Sequence, residues 1–208
     1  MDTLNRITTY KNASIAAYCV AALNIIPVVL TLILANFLNS TSAKTGLGAF
    51  GTQSLNVLAI ISGIASPILT LLVVRMLPCN TVARFCGYGA QAISLVSFIV
   101  LYTYANTNVP IVDYLLLVGS LANLIWIGLA SWQSKGAVMI TGLFLVFLNV
   151  ISSVIDLGAV VILVIYLLNG VWFFLVARLL GKISNVPPLL DEVDAPADTD
   201  DSPSEITL

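Results

Sequence analysis

The chain has 208 residues, of which 59% are hydrophobic and only 9% are charged, and its mean hydropathy is +1.04. A soluble globular domain carries roughly 25% charged residues, so this composition excludes a protein whose surface mainly faces water. The net charge of −2 comes from a C-terminal acidic segment, because residues 1–188 hold eight Lys and Arg against three Asp. No basic cluster with interleaved aromatic residues occurs, so nucleic acid is not an expected partner.

The residue types that carry most enzyme chemistry are scarce. There is no histidine, which removes the commonest metal ligand and general base. The three cysteines, Cys19, Cys79 and Cys86, follow no regular disulfide spacing. No glycine-rich phosphate loop and no nucleophile elbow is present. We therefore expect no cofactor, no metal site and no catalytic residue.

Six apolar runs are each long enough to cross a bilayer core, which takes about 20 helical residues. Backbone polar groups must be satisfied inside lipid, so the runs predict helices. The predicted spans lie near residues 13–38, 54–77, 87–105, 110–132, 137–155 and 158–180. The predicted fold class is therefore all-α, an integral multi-pass membrane bundle over residues 1–184. Residues 185–208 are too polar to bury a core and are expected to form a disordered acidic tail.

The connections between the predicted spans are short, which favours antiparallel packing of neighbouring helices. Residues 39–53, which include three glycines, form the one longer predicted loop. Only Asp156 and Leu157 separate spans 5 and 6. A single helix over 137–180 would be about twice as long as one crossing, so we expect a break there.

The basic residues predict the orientation in the membrane. With six spans, seven Lys and Arg fall on the side that holds both termini, and Lys44 alone falls on the other side. Positively charged residues concentrate on the cytoplasmic side of membrane proteins. Both termini are therefore expected in the cytoplasm, and the expected location is the cell membrane, either plasma or inner.

Span 5 carries a polar stripe. Asn149, Ser152, Ser153 and Asp156 follow i, i+3, i+4, i+7 spacing and so share one helix face. Together with Asp113, on the same predicted outer side, they are a candidate polar path. The alternative interpretation is packing, because Asn and Ser hydrogen-bond between membrane helices at about 0.6–2 kcal/mol each. Both aspartates would then stabilise helix starts.

Two spans contain an internal proline beside a polar residue, namely Asn24 and Pro27 in span 1, and Ser66 and Pro67 in span 2. Proline removes a helix hydrogen bond and kinks the helix. Transporters use broken helices to expose backbone groups at a solute site, so these four are candidate kink sites. Proline is also common in ordinary transmembrane helices.

Further polar residues occur at membrane depth in spans 3, 4 and 6, namely Gln91, Asn123 and Asn169. Spans 4 and 6 share the pattern Asn-x-x-Trp, at Asn123 and Trp126 and again at Asn169 and Trp172. The predicted topology places both pairs at similar depth. Two short matches arise easily in biased sequence, so no function is assigned to the pattern.

Three classes of function remain. The first is a non-catalytic membrane component, such as an accessory subunit, scaffold or assembly factor, which the scarcity of charge inside the spans slightly favours. Its partners would be the lipid bilayer and either another membrane protein or a second copy of the chain. The second is a small permease or channel that uses the polar stripe of span 5. An intramembrane enzyme ranks last, because its carboxylates would have to meet in a water-accessible cavity.

Overall fold

Helices account for all regular structure in the computed structural model, which describes residues 3–40, 46–103, 110–155 and 158–185. The helices are α1 (Thr3–Ser40), α2 (Gly46–Met76), α3 (Thr81–Thr103), α4 (Pro110–Gln133), α5 (Ala137–Val154) and α6 (Gly158–Asn185). The predicted all-α class is therefore confirmed. Residues 186–208, the rest of the predicted acidic tail, lie outside the described residues.

Among the described residues, four stretches are long and apolar enough to cross a membrane, which indicates an integral membrane protein. They are Ile7–Leu34, Leu55–Met76, Thr81–Thr103 and Val160–Asn185. Leu117–Gln133 and Ala137–Ser153 are shorter apolar helices.

Some helix ends lie where the local sequence predicts them, and others lie elsewhere because tertiary contacts override the local preference. α5 ends at Val154, Ile155 is extended with φ −122° and ψ 129°, and Gly158 opens α6 with a φ of 74°. The predicted break between spans 5 and 6 is confirmed. The loop prediction for 39–53 is wrong at its C-terminal part, because α2 begins at Gly46. Glycine lowers helix stability by only about 1 kcal/mol per residue, a preference that context overrides.

The helices pack as a closed ring in chain order. Each helix contacts its neighbours in sequence, and α6 returns to pack against α1. Small residues bring α1 and α6 close together. A Cβ added to Gly170 would lie 3.2 Å from the Ala21 carbonyl oxygen, and Ser14 Oγ donates a hydrogen bond of 2.8 Å to the Ala177 carbonyl. Small and hydroxyl side chains are the usual means of close helix contact in membranes.

The fully packed core lies at one end of the ring, where α2 connects to α3 and α4 to α5. Most of its members come from the first half of α1, the last turns of α2 and the second halves of α4 and α6, and α3 and α5 add Ala83, Val138 and Leu145. The α2–α3 connection is tied to α4, because the Asn80 backbone N–H donates to Gln133 Oε1 at 2.6 Å. Asn80 also caps α3 by accepting from the Ala83 N–H at 2.8 Å. The other half of the ring is less densely filled and contains cavities.

Candidate functional site

Two cavities of about 420 Å³ each lie between the helices. The first is lined by α2, α3, α4 and α6. The second is lined by α1, α2 and α6, together with the Phe98 ring of α3. They share five lining residues, which are Ser62, Gly63, Ser66, Phe98 and Tyr166. Small-molecule sites occupy roughly 300–1,000 Å³, so each cavity has the size of a binding site.

The first cavity lies beside the middle of α3, and its walls combine many polar side chains with apolar ones. Gln91 lies ten residues into α3, which is ~15 Å along the helix. Ten side chains that line the first cavity carry a hydroxyl or a carboxamide: Ser62, Ser66, Thr70, Gln91, Ser94, Ser97, Ser120, Asn123, Tyr166 and Asn169. Among the described residues that line either cavity, none is charged. The site is therefore polar and electrically neutral.

Two amide pairs bridge the walls. Asn169 Nδ2 on α6 donates to Asn24 Oδ1 on α1 at 3.1 Å, and Asn24 Nδ2 donates to the Val20 carbonyl at 2.8 Å. Gln91 Nε2 on α3 donates to Asn123 Oδ1 on α4 at 3.3 Å. These bonds fix which end of each amide faces its neighbour, so the walls present oriented hydrogen-bonding groups.

Two polar atoms in the wall of the first cavity are buried and have no hydrogen-bond partner within the described part of the chain. They are Ser97 Oγ and Asn169 Oδ1, and the Ser97 residue is only 1% exposed. A neighbouring hydroxyl behaves differently, since Thr70 Oγ1 donates to the Ser66 carbonyl at 2.7 Å. Leaving a buried polar group unsatisfied costs about 1–3 kcal/mol. Such groups require an explanation, and a bound molecule supplies one.

The prolines add backbone acceptors to the same walls. A helix N–H normally bonds to the carbonyl four residues earlier, and proline has no N–H. Pro27 therefore leaves the Leu23 carbonyl without its helix donor, and Pro67 does the same for Gly63. Leu23 lines the second cavity and Gly63 lines both.

An aromatic cluster closes the core end of the first cavity, and we call Trp126, Trp172 and Phe173 the aromatic floor. The two indoles meet edge to face with ring centroids 5.5 Å apart, and Trp172 and Phe173 lie 5.1 Å apart. Trp172 Nε1 donates to Ser131 Oγ on α4 at 2.9 Å. Phe173 itself lines the cavity. The floor therefore separates the cavity from the packed end of the ring.

Both copies of the Asn-x-x-Trp pattern supply residues to this site, although the sequence analysis assigned the pattern no function. From α4, Asn123 lines the first cavity and Trp126 lies in the floor, and from α6, Asn169 and Trp172 occupy the same two places. The common depth predicted from the topology agrees with this arrangement.

All four candidate kink residues line the cavities. Asn24 and Pro27 belong to the wall of the second cavity, Pro67 to that of the first, and Ser66 to both. Candidate kink residues of α1 and α2, which lie far apart in sequence, thus meet in the wall of the second cavity.

The polar stripe of span 5 lies away from the two cavities, and its described side chains bond to α5 itself. Asn149 Nδ2 donates to the Leu145 carbonyl at 2.8 Å, and Ser152 Oγ donates to the Asn149 carbonyl at 2.9 Å. Ser153 Oγ likewise bonds to the backbone of α5. As far as the structure describes the chain, α5 contributes nothing to the two cavity walls. Asp156 and the Asp113 side chain lie outside the described residues.

Sequence reasoning named Gln91 on α3 but did not recognise the helix face to which it belongs, although a signal was present. Gln91, Ser94 and Phe98 follow i, i+3, i+7 spacing, and all three line the first cavity. On α2, Ser62, Ser66 and Thr70 repeat at four-residue steps and line it too. Residues at such spacings share a helix face.

The cysteines lie away from the cavity walls. All three are free thiols, and Cys79 lies in the connection between α2 and α3. Burial raises the pKa of the Cys79 thiol, while the positive charge of Arg84 and a hydrogen bond from it partly oppose that rise. In the parts of the chain that the structure describes, no three His, Cys, Asp or Glu side chains come together to hold a metal ion.

Comparison with known proteins returns no match, whether to a family model, to a curated protein or to a solved structure. The geometry and chemistry of the cavity walls therefore carry the functional argument.

Proposed function

We propose that the chain is a six-span protein of the cell membrane, with both termini in the cytoplasm, that acts as a small non-enzymatic permease for a polar solute. The observation that supports this most is the first cavity, with ten hydroxyl and carboxamide side chains around about 420 Å³ beside the middle of α3. Protein interiors are close-packed, and their empty cavities are usually apolar. A polar cavity of this size is suited to water or a solute.

The polar side chains do more than hold helices together. Residues that serve only as packing contacts satisfy each other across an interface. Here Ser97 Oγ and Asn169 Oδ1 remain unsatisfied, and both belong to residues that line the first cavity. That favours a solute site over the accessory-subunit interpretation, which the scarcity of charge alone had slightly favoured.

The asymmetry of the ring also fits transport. The lining of the cavities extends to Thr31 in the second half of α1 and Leu55 in the first half of α2. It also reaches Leu101 and Leu115 at the α3–α4 end. The aromatic floor closes the opposite end. With the orientation predicted from the basic residues, the cavity half faces outward and the closed half faces the cytoplasm. Carriers that work by alternating access are closed on one side at a time.

A flux assay with a cavity-filling variant tests the proposal. We expect Ser66→Phe, which introduces a ring where both cavities meet, to abolish solute flux into proteoliposomes. The matched control is Thr103→Phe, because Thr103 is exposed at the end of α3 and bonds only to its own helix. Equal flux through both variants would mean that the cavities are not the path.

The span 5 stripe is the competing path, and Asn149→Leu addresses it. Under the cavity proposal this variant disturbs only a bond within α5. Loss of flux in Asn149→Leu, together with normal flux in Ser66→Phe, would show that the solute path runs along α5 and not through the cavities.

A non-catalytic accessory component is the second candidate, and the absence of charge from the described cavity walls favours it over an enzyme. Native mass spectrometry of protein extracted gently from its own membrane separates the two candidates. A stoichiometric partner protein supports the accessory role. A monomer or homo-oligomer that retains a small solute supports the permease.

The proposed topology has its own test. A reporter that is active only in the cytoplasm should be active when fused after Leu208 and inactive near Lys44. The reverse pattern would overturn the orientation and the outward direction of the cavities.

A further inference from the structure

We infer that the solute is small, uncharged and rich in hydrogen-bond donors, of the amide or polyol class, and that Ser97 and Asn169 bind it in the first cavity. This inference rests on the proposed permease function and adds the substrate class and two recognition residues.

The charge of the solute follows from the wall. An ion that leaves water for a membrane interior needs a counter-charge or a dense shell of ligands. The described lining offers hydroxyls and carboxamides and no charged group. Two of the amides, Gln91 and Asn123, are already bonded to each other. A neutral solute can exchange its hydrogen bonds with water for bonds to these groups, whereas an ion would lose most of its hydration energy.

The need for donors follows from Asn169. Its Nδ2 donates to Asn24 Oδ1, and Asn24 in turn is oriented by its bond to the Val20 carbonyl. The chain of bonds fixes Asn169 Oδ1 as the free end, and that atom is buried without a partner. A carboxamide oxygen only accepts hydrogen bonds, so the solute has to supply a donor.

Ser97 supplies the second contact. Its residue is almost wholly buried and lines the first cavity, yet its hydroxyl has no partner among the described residues. Three other hydroxyls in the wall bond to carbonyls of their own helix, namely those of Ser62, Thr70 and Ser120. Ser97 is therefore free to give and accept a bond with a solute, and Asn169 accepts another.

The test compares urea with guanidinium in full-length protein reconstituted into phosphatidylcholine vesicles, with an ionophore present to remove any membrane potential. The two probes have nearly the same size and shape and both carry several donors, so they differ mainly in charge. We expect vesicles with protein to take up urea faster than protein-free vesicles, and to take up guanidinium no faster than protein-free vesicles do.

Two variants connect the flux to the recognition residues. Ser97→Ala should lower the urea flux roughly five-fold, the effect of one lost hydrogen bond. Asn169→Leu should lower it at least as much, because it removes the bond to Asn24 as well as the acceptor for the solute. The matched controls are Ser184→Ala and Asn56→Leu, which lie outside the cavity walls and should leave the flux unchanged. Ser97→Ala removes a hydroxyl without a protein partner, so its thermal midpoint should stay equal to or above that of the original protein. A flux loss with unchanged stability identifies a binding role.

The other outcomes are distinct. Faster guanidinium than urea uptake overturns the neutral solute and leaves the permease standing. A rise in water permeability alone shows that the cavity holds only water and overturns the solute class. No flux of any probe through folded, inserted protein overturns the permease and the inference together. Equal losses in the variants and their controls overturn the assignment of Ser97 and Asn169.

Discussion

The aromatic floor depends on a glycine, and Gly142→Ala tests how tightly that end of the ring is packed. Gly142 on α5 faces the bond between Trp172 and Ser131. A Cβ at this position would overlap Ser131 Oγ, and it would lie 2.5 Å from Trp172 Nε1 and 2.6 Å from the Ser131 Cβ. Because Ser131 and Trp172 are fully buried, neither has free space to move into.

The expected loss of stability in Gly142→Ala has two parts. Overpacking a filled core costs roughly 1–3 kcal/mol, and separating a buried donor from its acceptor costs about 1–3 kcal/mol more. The sum, about 2–6 kcal/mol, exceeds the gain of about 1 kcal/mol that alanine brings to a helix, which leaves a net cost of about 1–5 kcal/mol. For a chain of this size we expect the thermal midpoint to fall by roughly 2–20 °C.

The assay is thermal unfolding in detergent, followed by tryptophan fluorescence. Gly89→Ala is the control, because a Cβ there meets nothing within 4 Å, and it should leave the midpoint unchanged or raise it slightly. Ser131→Ala combined with Gly142→Ala should destabilise less than the two single effects added, since the two sites share one contact. A midpoint for Gly142→Ala equal to or above that of the original protein would refute the described packing of α5 on α4 and α6.

Three further predictions concern the cavity wall, the cysteine and a helix cap. Gly63→Ala should change solute flux more than stability, because its methyl group would displace the Phe98 ring that lines both cavities; flux equal to that of the original protein would contradict this. Arg84→Gln should raise the pKa of the Cys79 thiol further, because it removes the cation that opposes the effect of burial. Its alkylation by iodoacetamide, measured against pH with the other two cysteines replaced by serine, should then need a higher pH, and a shift to lower pH would be inconsistent with that cause. Asn80→Ala should cost about 1 kcal/mol of stability through loss of the α3 cap, measured as a lower thermal midpoint; an unchanged midpoint would contradict it.

Much of the architecture could be predicted because lipid constrains it strongly. Apolar runs long enough for a bilayer have to be helical, and the break between spans 5 and 6 followed from length alone. The loop prediction at 46–53 failed because three glycines were given more weight than their small effect on helix stability allows. Positions of helix ends depend on tertiary contacts that composition does not show.

The candidate site could be predicted only in part, and the reason is geometric. Periodicity shows which residues share a face of one helix, but it does not show which faces of different helices meet. The stripe of α5 is the most regular pattern, yet Asn149 and Ser152 bond to their own helix. Asn24 and Asn169 are separated by 145 positions and still form a direct hydrogen bond. That contact depends on the closure of the ring between α1 and α6.

Closure between the first and last helices also affects biogenesis. Neighbours in sequence can pair as soon as both have been inserted, so most of the ring can assemble during synthesis. Ser14 and Asn24 on α1, however, have their partners on α6, which is synthesised after the other five helices. Until then two polar groups of α1 face lipid or the insertion machinery without those partners. A nascent chain that stops before α6 is therefore an open helix array that lacks both of these bonds.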